Sequence, residues 1–242
     1  MTKPVYAIGD IHGQIDMLKA ALALIESDGG PDAKVVFLGD YIDRGPDSCA
    51  VVQTLIDGYA KGRNWTALKG NHDRYLLRFM SDKNVHDSRT RPDLMWFNPI
   101  LGGDKTMLSY GVYAKDGASV SNTHTAALSA VPQSHLDFLN DLDLTHTHDK
   151  LLFVHAGIRP GVPLVDQVED DLMWIREPFL SDPRDHGYLI VHGHTALDAP
   201  QHYGNRVNLD SGAGFGRPLT TAVFEGRDCW LLTPKGRIAF GP

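Results

Sequence analysis

The sequence has little that would staple, anchor or tether it. It contains two cysteines, Cys49 and Cys229, in 242 residues. Two thiols so far apart do not make a disulfide framework, so a reducing compartment is expected and the fold must rest on its core. No apolar run approaches the ~20 residues that span a bilayer. The opening Met1-Thr2-Lys3-Pro4-Val5 leads directly into an apolar segment with no signal-peptide pattern, which points to the cytoplasm and no membrane. Dense Lys/Arg stripes are missing and the formal net charge is −7. That excludes sequence-independent nucleic-acid binding but not a small phosphorylated substrate, because bound metals add positive charge that a residue count misses. Internal repeats and low-complexity segments are also lacking.

What is present is a repeated unit. Val5-Tyr6-Ala7-Ile8 reads as a buried strand, followed at once by Gly9-Asp10-Ile11-His12. Ile15, Leu18, Leu22 and Ile25 then recur at helical spacing until Gly29-Gly30-Pro31 stops the helix. Residues 34–38 repeat the strand and end on Gly39-Asp40. Pro46-Asp47-Ser48 starts a helix with Val52, Leu55, Ile56 and Tyr59 inward. Residues 66–69 form a third strand ending on Gly70-Asn71-His72-Asp73. Residues 151–154 and 188–191 repeat the strand-then-histidine pattern at His155 and His192-Gly193-His194, and 134–142 reads as a helix. Strand–helix alternation implies parallel strands with right-handed crossovers, and ligands of open α/β sheets collect at strand carboxyl ends. Near the C-terminus, runs at 206–209, 219–224 and 229–232 read as antiparallel strands, so a mixed sandwich is expected. The irregular stretch from about 81 to 128 reads as a helical cap insertion within one domain spanning 1–242.

Five strand ends therefore bring Asp10 and His12, Asp40, Asn71 and His72, His155 and His194 into one neighbourhood. Oxygen and imidazole donors without thiolate suit manganese, iron or zinc. A single carboxylate such as Asp40 can bridge two ions. Each group alone has a plainer reading: Asp10 and His12 as a turn or helix cap, Asp40-Tyr41-Ile42-Asp43-Arg44-Gly45 as a loop with a local ion pair, His155 as a hydrogen-bonded structural histidine. The plain readings must hold at all five places together to remove the site.

Gly9-Asp10-Ile11-His12-Gly13, Gly39-Asp40-Tyr41-Ile42-Asp43-Arg44-Gly45 and Gly70-Asn71-His72-Asp73 resemble, in order and spacing, the leading signatures of the phosphoprotein phosphatases. These belong to the calcineurin-like metallophosphoesterase superfamily. Val154-His155-Ala156-Gly157 and Gly193-His194-Thr195 resemble its later histidine motifs. The match is to the bacterial serine/threonine type, related to diadenosine tetraphosphate hydrolases. The resemblance implies a metallo-dependent phosphatase fold, α/β, with a central mixed β-sandwich flanked by helices. It implies that Asp10, His12 and Asp40 hold one divalent ion and that Asp40, Asn71, His155 and His194 hold the second, with manganese the first choice. His72 would protonate the leaving group with Asp73 orienting its ring, and Arg44 and Arg176 would clamp the phosphoryl oxygens. The expected reaction is hydrolysis of phosphoserine or phosphothreonine in proteins by direct attack of a metal-bridging hydroxide. Symmetrical diadenosine tetraphosphate hydrolysis is the alternative. The partners implied are a phosphorylated protein or nucleotide substrate, with no nucleic acid and no regulatory subunit. His192 is expected to support rather than ligate. Asp210 either supports a ligand histidine or caps a turn, and His124, His146, His148 and His186 are expected at the surface. Trp96, Phe97 and Tyr110 either pack the cap or form a wall for a nucleobase. Gly102-Gly103 would let backbone approach a ligand.

Overall fold

The computed structural model describes residues 3–242; Met1 and Thr2, where the N-terminal reading begins, lie outside them. In chain order the elements are β1 (Val5–Ile8), α1 (Ile15–Gly29), β2 (Lys34–Phe37), α2 (Ser48–Ala60), β3 (Trp65–Ala67) and α3 (Asn71–Asp82). Next come α4 (Gly103–Ser109), α5 (Val120–Ala130), α6 (Gln133–Asn140), β4 (Thr145–His148), β5 (Leu151–Val154) and α7 (Glu169–Trp174). The chain ends with β6 (Leu189–His192), β7 (Gln201–His202), β8 (Arg206–Asn208), β9 (Thr221–Glu225), β10 (Asp228–Thr233) and β11 (Gly236–Ala239). Two mixed sheets result, ordered β11-β10-β9-β1-β2-β3 and β4-β5-β6-β8-β7.

Side-chain alternation along the strands explains the layering. Val5 and Ala7 of β1, Val36 of β2 and Leu38 just beyond it join Leu151, Phe153, Leu189, Val191 and Val207 in a core between the sheets. The intervening Tyr6, Ile8, Val35 and Phe37 face the other way, into a larger core shared with α1, α2 and α3. Leu152, Val154 and Ile190 pack on the far side against Leu172, Ile175 and Phe179. Strands covered on both faces read as continuous apolar runs, which is why these were visible in sequence.

Trp96, Phe97, Met107, Tyr110 and Ala127, from the irregular middle stretch, all pack into the core shared with α1 and α2. On α2, Val52 and Leu55 face inward as expected, but Tyr59 is 43% exposed and the inner face is completed by Val51 and Gly58. Helix α2 begins as expected: the Asp47 carboxylate accepts from Ala50 N at 2.9 Å. His124 is buried rather than at the surface, its Nε2 lying 3.0 Å from Met80 O. Of the three C-terminal runs, β9 and β10 pair antiparallel as expected, while β8 pairs antiparallel with β7 on one side and parallel with β6 on the other. The parallel strands β1, β2 and β3 of one sheet and β5 and β6 of the other deliver their following loops to one place.

Candidate metal centre and cleft

Asp40 sits at the middle of that place. Its two carboxylate oxygens face different imidazoles: Oδ2 is 3.5 Å from His12 Nε2 and Oδ1 is 3.5 Å from His155 Nε2. Asn71 Oδ1 lies 3.0 Å from His155 Nε2 and 2.8 Å from His194 Nδ1. Asp10, Asp40 and His155 place one donor atom each within 4.8 Å of one another, as do His12, Asp40 and His72. The carboxylate of Asp10 is held by the His194 backbone N–H at 3.0 Å. All six candidate ligands are buried.

The backbone is bent to achieve this. His12, Asp40, Asp43, Arg44 and His194 all adopt positive φ without being glycine, a conformation kept only where the surroundings enforce it. Neighbouring glycines give the room. A Cβ on Gly70 would stand 2.1 Å from Asp40 Oδ1, and one on Gly193 would stand 1.9 Å from Asp10 Oδ1.

The hydrogen bonds also set the tautomers. His12 Nδ1 lies 2.8 Å from Ile42 O and His155 Nδ1 lies 2.8 Å from Leu38 O. A carbonyl only accepts, so each ring carries its proton there and leaves Nε2 as a bare lone pair. For His155 that lone pair faces the oxygens of Asn71 and Asp40, acceptor against acceptor. Among the described residues no hydrogen bond meets the buried His194 Nε2, while its Nδ1 faces the Asn71 oxygen. Burial, followed by Asp210 and Asp40, pushes the Asp10 carboxyl well above its usual range, and burial raises Asp40 to about 7. Burial likewise lowers His155 to about 4 and holds His12 and His194 well below the usual imidazole range. A set of neutral imidazoles and crowded carboxylates with opposed lone pairs fits divalent cations.

His72 packs edge-on against His12, ring centres 4.8 Å apart, but its hydrogen bonds differ from those of the other imidazoles. Its Nδ1 donates to Asp43 Oδ2 at 2.6 Å, while its Nε2 accepts from Arg44 Nη2 at 2.9 Å. Asp43, fully buried, also accepts from Trp96 Nε1 at 2.9 Å and from Thr106 Oγ1 at 2.6 Å. The expected orienting residue, Asp73, is elsewhere: its carboxylate accepts from the backbone N–H groups of Asp40, Tyr41 and Gly70, each at 2.9 Å. It ties the Asp40 loop to the start of α3 and does not touch the His72 ring. Asp43 was quoted in the Asp40–Gly45 motif but read only as a local ion pair. Its signal was a second carboxylate three residues after Asp40.

Arg44 donates to His12 Nε2 at 2.6 Å as well as to His72. That contact uses the lone pair an ion would take, so ion binding and this hydrogen bond exclude each other. Arg44 and Arg176 line one cleft of about 410 Å³ together with Asp40, Asn71, His72, His194 and Trp174. Sequence reasoning did not single out Arg89 and Arg91, which line the same cleft. It also missed Phe215, an exposed ring whose centre lies 4.8 Å from the Arg44 guanidinium carbon.

The remaining candidates are structural. His192 is buried, with its Nε2 accepting from Arg206 Nη1 at 3.2 Å. The Asp210 carboxylate accepts from Gly212 N at 2.9 Å, as a turn cap does. It lies close enough to Asp10 to be the second cause of that residue's raised pKa. Trp96 and Phe97 are buried, as is Tyr110, so they pack the core rather than form a wall. Gly102 and Gly103 give close approach to protein, not to a ligand: added Cβ atoms would stand 2.2 Å from Arg44 N and 2.5 Å from the Trp96 ring.

The model of the calcineurin-like phosphoesterase family matches residues 3–219. The chain belongs to that family. It is a metal-dependent phosphoesterase with the metallophosphoesterase fold. Among curated relatives, the asymmetrical bis(5'-nucleosyl)-tetraphosphatase PrpE of Anoxybacillus flavithermus is 26% identical over 88% of this chain and 87% of that protein. A symmetrical bis(5'-nucleosyl)-tetraphosphatase of Hamiltonella defensa is 28% identical over 91% of this chain and 93% of its own length. A solved structure of a proposed diadenosine tetraphosphatase aligns with a TM-score of 0.67 at 22% identity, covering 96% of this chain and 93% of that one. A serine/threonine phosphatase from Saccharomyces cerevisiae shares the fold at a TM-score of 0.53 and 15% identity, over 98% of this chain and 76% of its own. The sequence reading put protein substrates first; these relatives favour its alternative.

Proposed function

We propose that the protein hydrolyses dinucleoside tetraphosphates such as diadenosine tetraphosphate, using two divalent ions, manganese by first choice. What supports this is the likeness, along nearly the whole chain, to relatives named for that reaction; the protein phosphatase shares only the fold. Asp10, His12 and Asp40 would hold one ion, and Asp40, Asn71, His155 and His194 the other. When bound, two such ions lower the pKa of water and neutralise charge on the phosphoryl oxygens.

The chain's own residues supply the rest. Arg44 and Arg176 line the same cleft as Asp40, Asn71 and His194, and a guanidinium fork matches two phosphoryl oxygens. His72 lines the cleft, and once Arg44 turns from its Nε2 to the phosphoryl oxygens, a proton carried on that atom can pass to the departing oxygen. Burial, then the Arg44 guanidinium, hold the His72 ring well below the usual imidazole range; Asp43, by accepting from Nδ1, opposes this and favours the doubly protonated ring that this step requires. Asp73 positions Asp40 by holding its backbone N–H.

The test offers metal-loaded protein diadenosine tetraphosphate and a phosphoserine peptide at equal concentration. A higher kcat/KM on the dinucleotide is expected. Preference for the peptide would overturn the reading. The products then give the cleavage position: two ADP for symmetrical attack, ATP with AMP for asymmetrical.

A further inference from the structure

The cleft is larger and more basic than one phosphoryl group needs. Its volume of about 410 Å³ corresponds to on the order of a dozen water volumes at ~30 Å³ each. Besides Arg44 and Arg176 it is lined by Arg89 and Arg91. These lie two residues apart in the irregular segment before α4. In a chain of net charge −7, four arginines around one cleft are a local excess.

The segment is braced rather than loose. Asp87 is buried and accepts from Arg74 Nη2 at 2.8 Å, from Arg78 Nη1 at 2.6 Å and from the backbone N–H of Arg89 at 2.9 Å. Thr90 Oγ1 donates to Asp87 O at 2.7 Å. Arg89 uses only Nε in a hydrogen bond, to Asp170 at 3.3 Å, and its Nη2 stands 3.9 Å from Asp171. Asp170 and Asp171 are already engaged, by Arg74 at 2.6 Å and by Arg159 at 2.7 Å. Among the described residues Arg91 has one acidic neighbour, Asp93, at 3.6 Å. Solvent-exposed pairs of this kind are weak, whereas guanidinium–phosphate contacts are among the strong ones. A phosphate can therefore draw both side chains from their present partners.

We propose that Arg89 and Arg91 form a second phosphate subsite, taking a phosphate of the same substrate beyond the one attacked and so selecting polyphosphate chains over monoesters. This rests on the proposed nucleotide reading only for the substrate's name; the subsite itself recognises linked phosphates.

The test uses the manganese-loaded full chain at constant free manganese. Hydrolysis of p-nitrophenyl phosphate is inhibited with inorganic tripolyphosphate and, separately, with orthophosphate. In the unaltered protein tripolyphosphate should bind about tenfold or more tightly than orthophosphate. Arg89→Ala and Arg91→Ala should each erase most of that ratio. Each should also raise KM for diadenosine tetraphosphate by a larger factor than KM for p-nitrophenyl phosphate. Arg91→Ala removes only an exposed pair, so folding does not confound it. Equal affinity for the two inhibitors in the unaltered protein, or a ratio that both variants leave intact, would overturn the subsite. Failure to hydrolyse diadenosine tetraphosphate, with the tripolyphosphate preference and its loss both observed, would sink the nucleotide reading and leave the subsite standing.

Discussion

The assignment of Asp43 rather than Asp73 to His72 has a direct consequence in Asp43→Asn. The amide keeps the volume of a fully buried side chain and keeps one oxygen for His72 Nδ1, 2.6 Å away. Thr106, whose hydroxyl now donates to Asp43 at 2.6 Å, can turn to accept from the new amide. What disappears is the carboxylate charge beside the ring; burial pushes the Asp43 carboxyl well above its usual range, and the hydrogen bonds from Thr106 and Trp96 together with Arg44 oppose that rise. A hydrogen bond to a charged partner is worth about 1.5–3 kcal/mol, or roughly one to two pKa units of protonated His72. The loss should therefore slow, by about 10–100-fold, a substrate that needs a proton on its leaving group. Phenyl phosphate is one, since phenols such as tyrosine have a pKa of about 10. p-Nitrophenyl phosphate expels a stabilised phenoxide and should be affected far less. Asp73→Asn should behave differently: it loosens the loop carrying Asp40, so both substrates should suffer together with metal retention. The assay compares kcat on the two esters for both variants. Equal losses on the two esters in Asp43→Asn, with a selective loss on phenyl phosphate in Asp73→Asn, would refute the reasoning.

Other consequences can be checked one by one. Asp40→Ala removes the carboxylate whose two oxygens face His12 and His155, so metal analysis after dialysis should find both ions lost rather than one. Gly193→Ala places a methyl 1.9 Å from Asp10 Oδ1; calorimetric titration with manganese should show affinity reduced at least about tenfold, and retained affinity would show that the loop can give way. Burial pushes the Cys229 thiol up to about 12. Its thiolate fraction is negligible below that value and grows only as pH rises towards it. Iodoacetamide at neutral pH should leave Cys229 unlabelled in the folded protein, as mass spectrometry would show, and label it after unfolding.

Much of the site was legible because its residues follow apolar strands that are covered on both faces. β1 and β5 announce themselves as runs of four apolar residues and β2 and β6 hold three each, and the polar residue after each run stands at the shared carboxyl edge. Other features had no such signal. β4, Thr145–His148, is polar throughout, and β7 is two residues long, so neither shows a period. β8 pairs antiparallel with β7 and parallel with β6, and a strand's own residues do not encode which partners it meets. The exchange of Asp73 for Asp43 has a geometric cause. His72 and Asp73 are consecutive in α3, where neighbouring side chains diverge by about 100°. Asp73 therefore turns to the backbone amides of the Asp40 loop while His72 meets a carboxylate from a different loop. Arg89 and Arg91 lie in a segment with no periodicity, and only folding against Asp87 brings them to the cleft.

The most direct test of the central claim is a side-by-side turnover measurement on metal-free protein reloaded with manganese, given diadenosine tetraphosphate, a phosphothreonine peptide and p-nitrophenyl phosphate. The account predicts no turnover before metal is added and, afterwards, the highest kcat/KM on the dinucleotide. Turnover of the dinucleotide without metal, or a preference for the peptide once metal is bound, would contradict it.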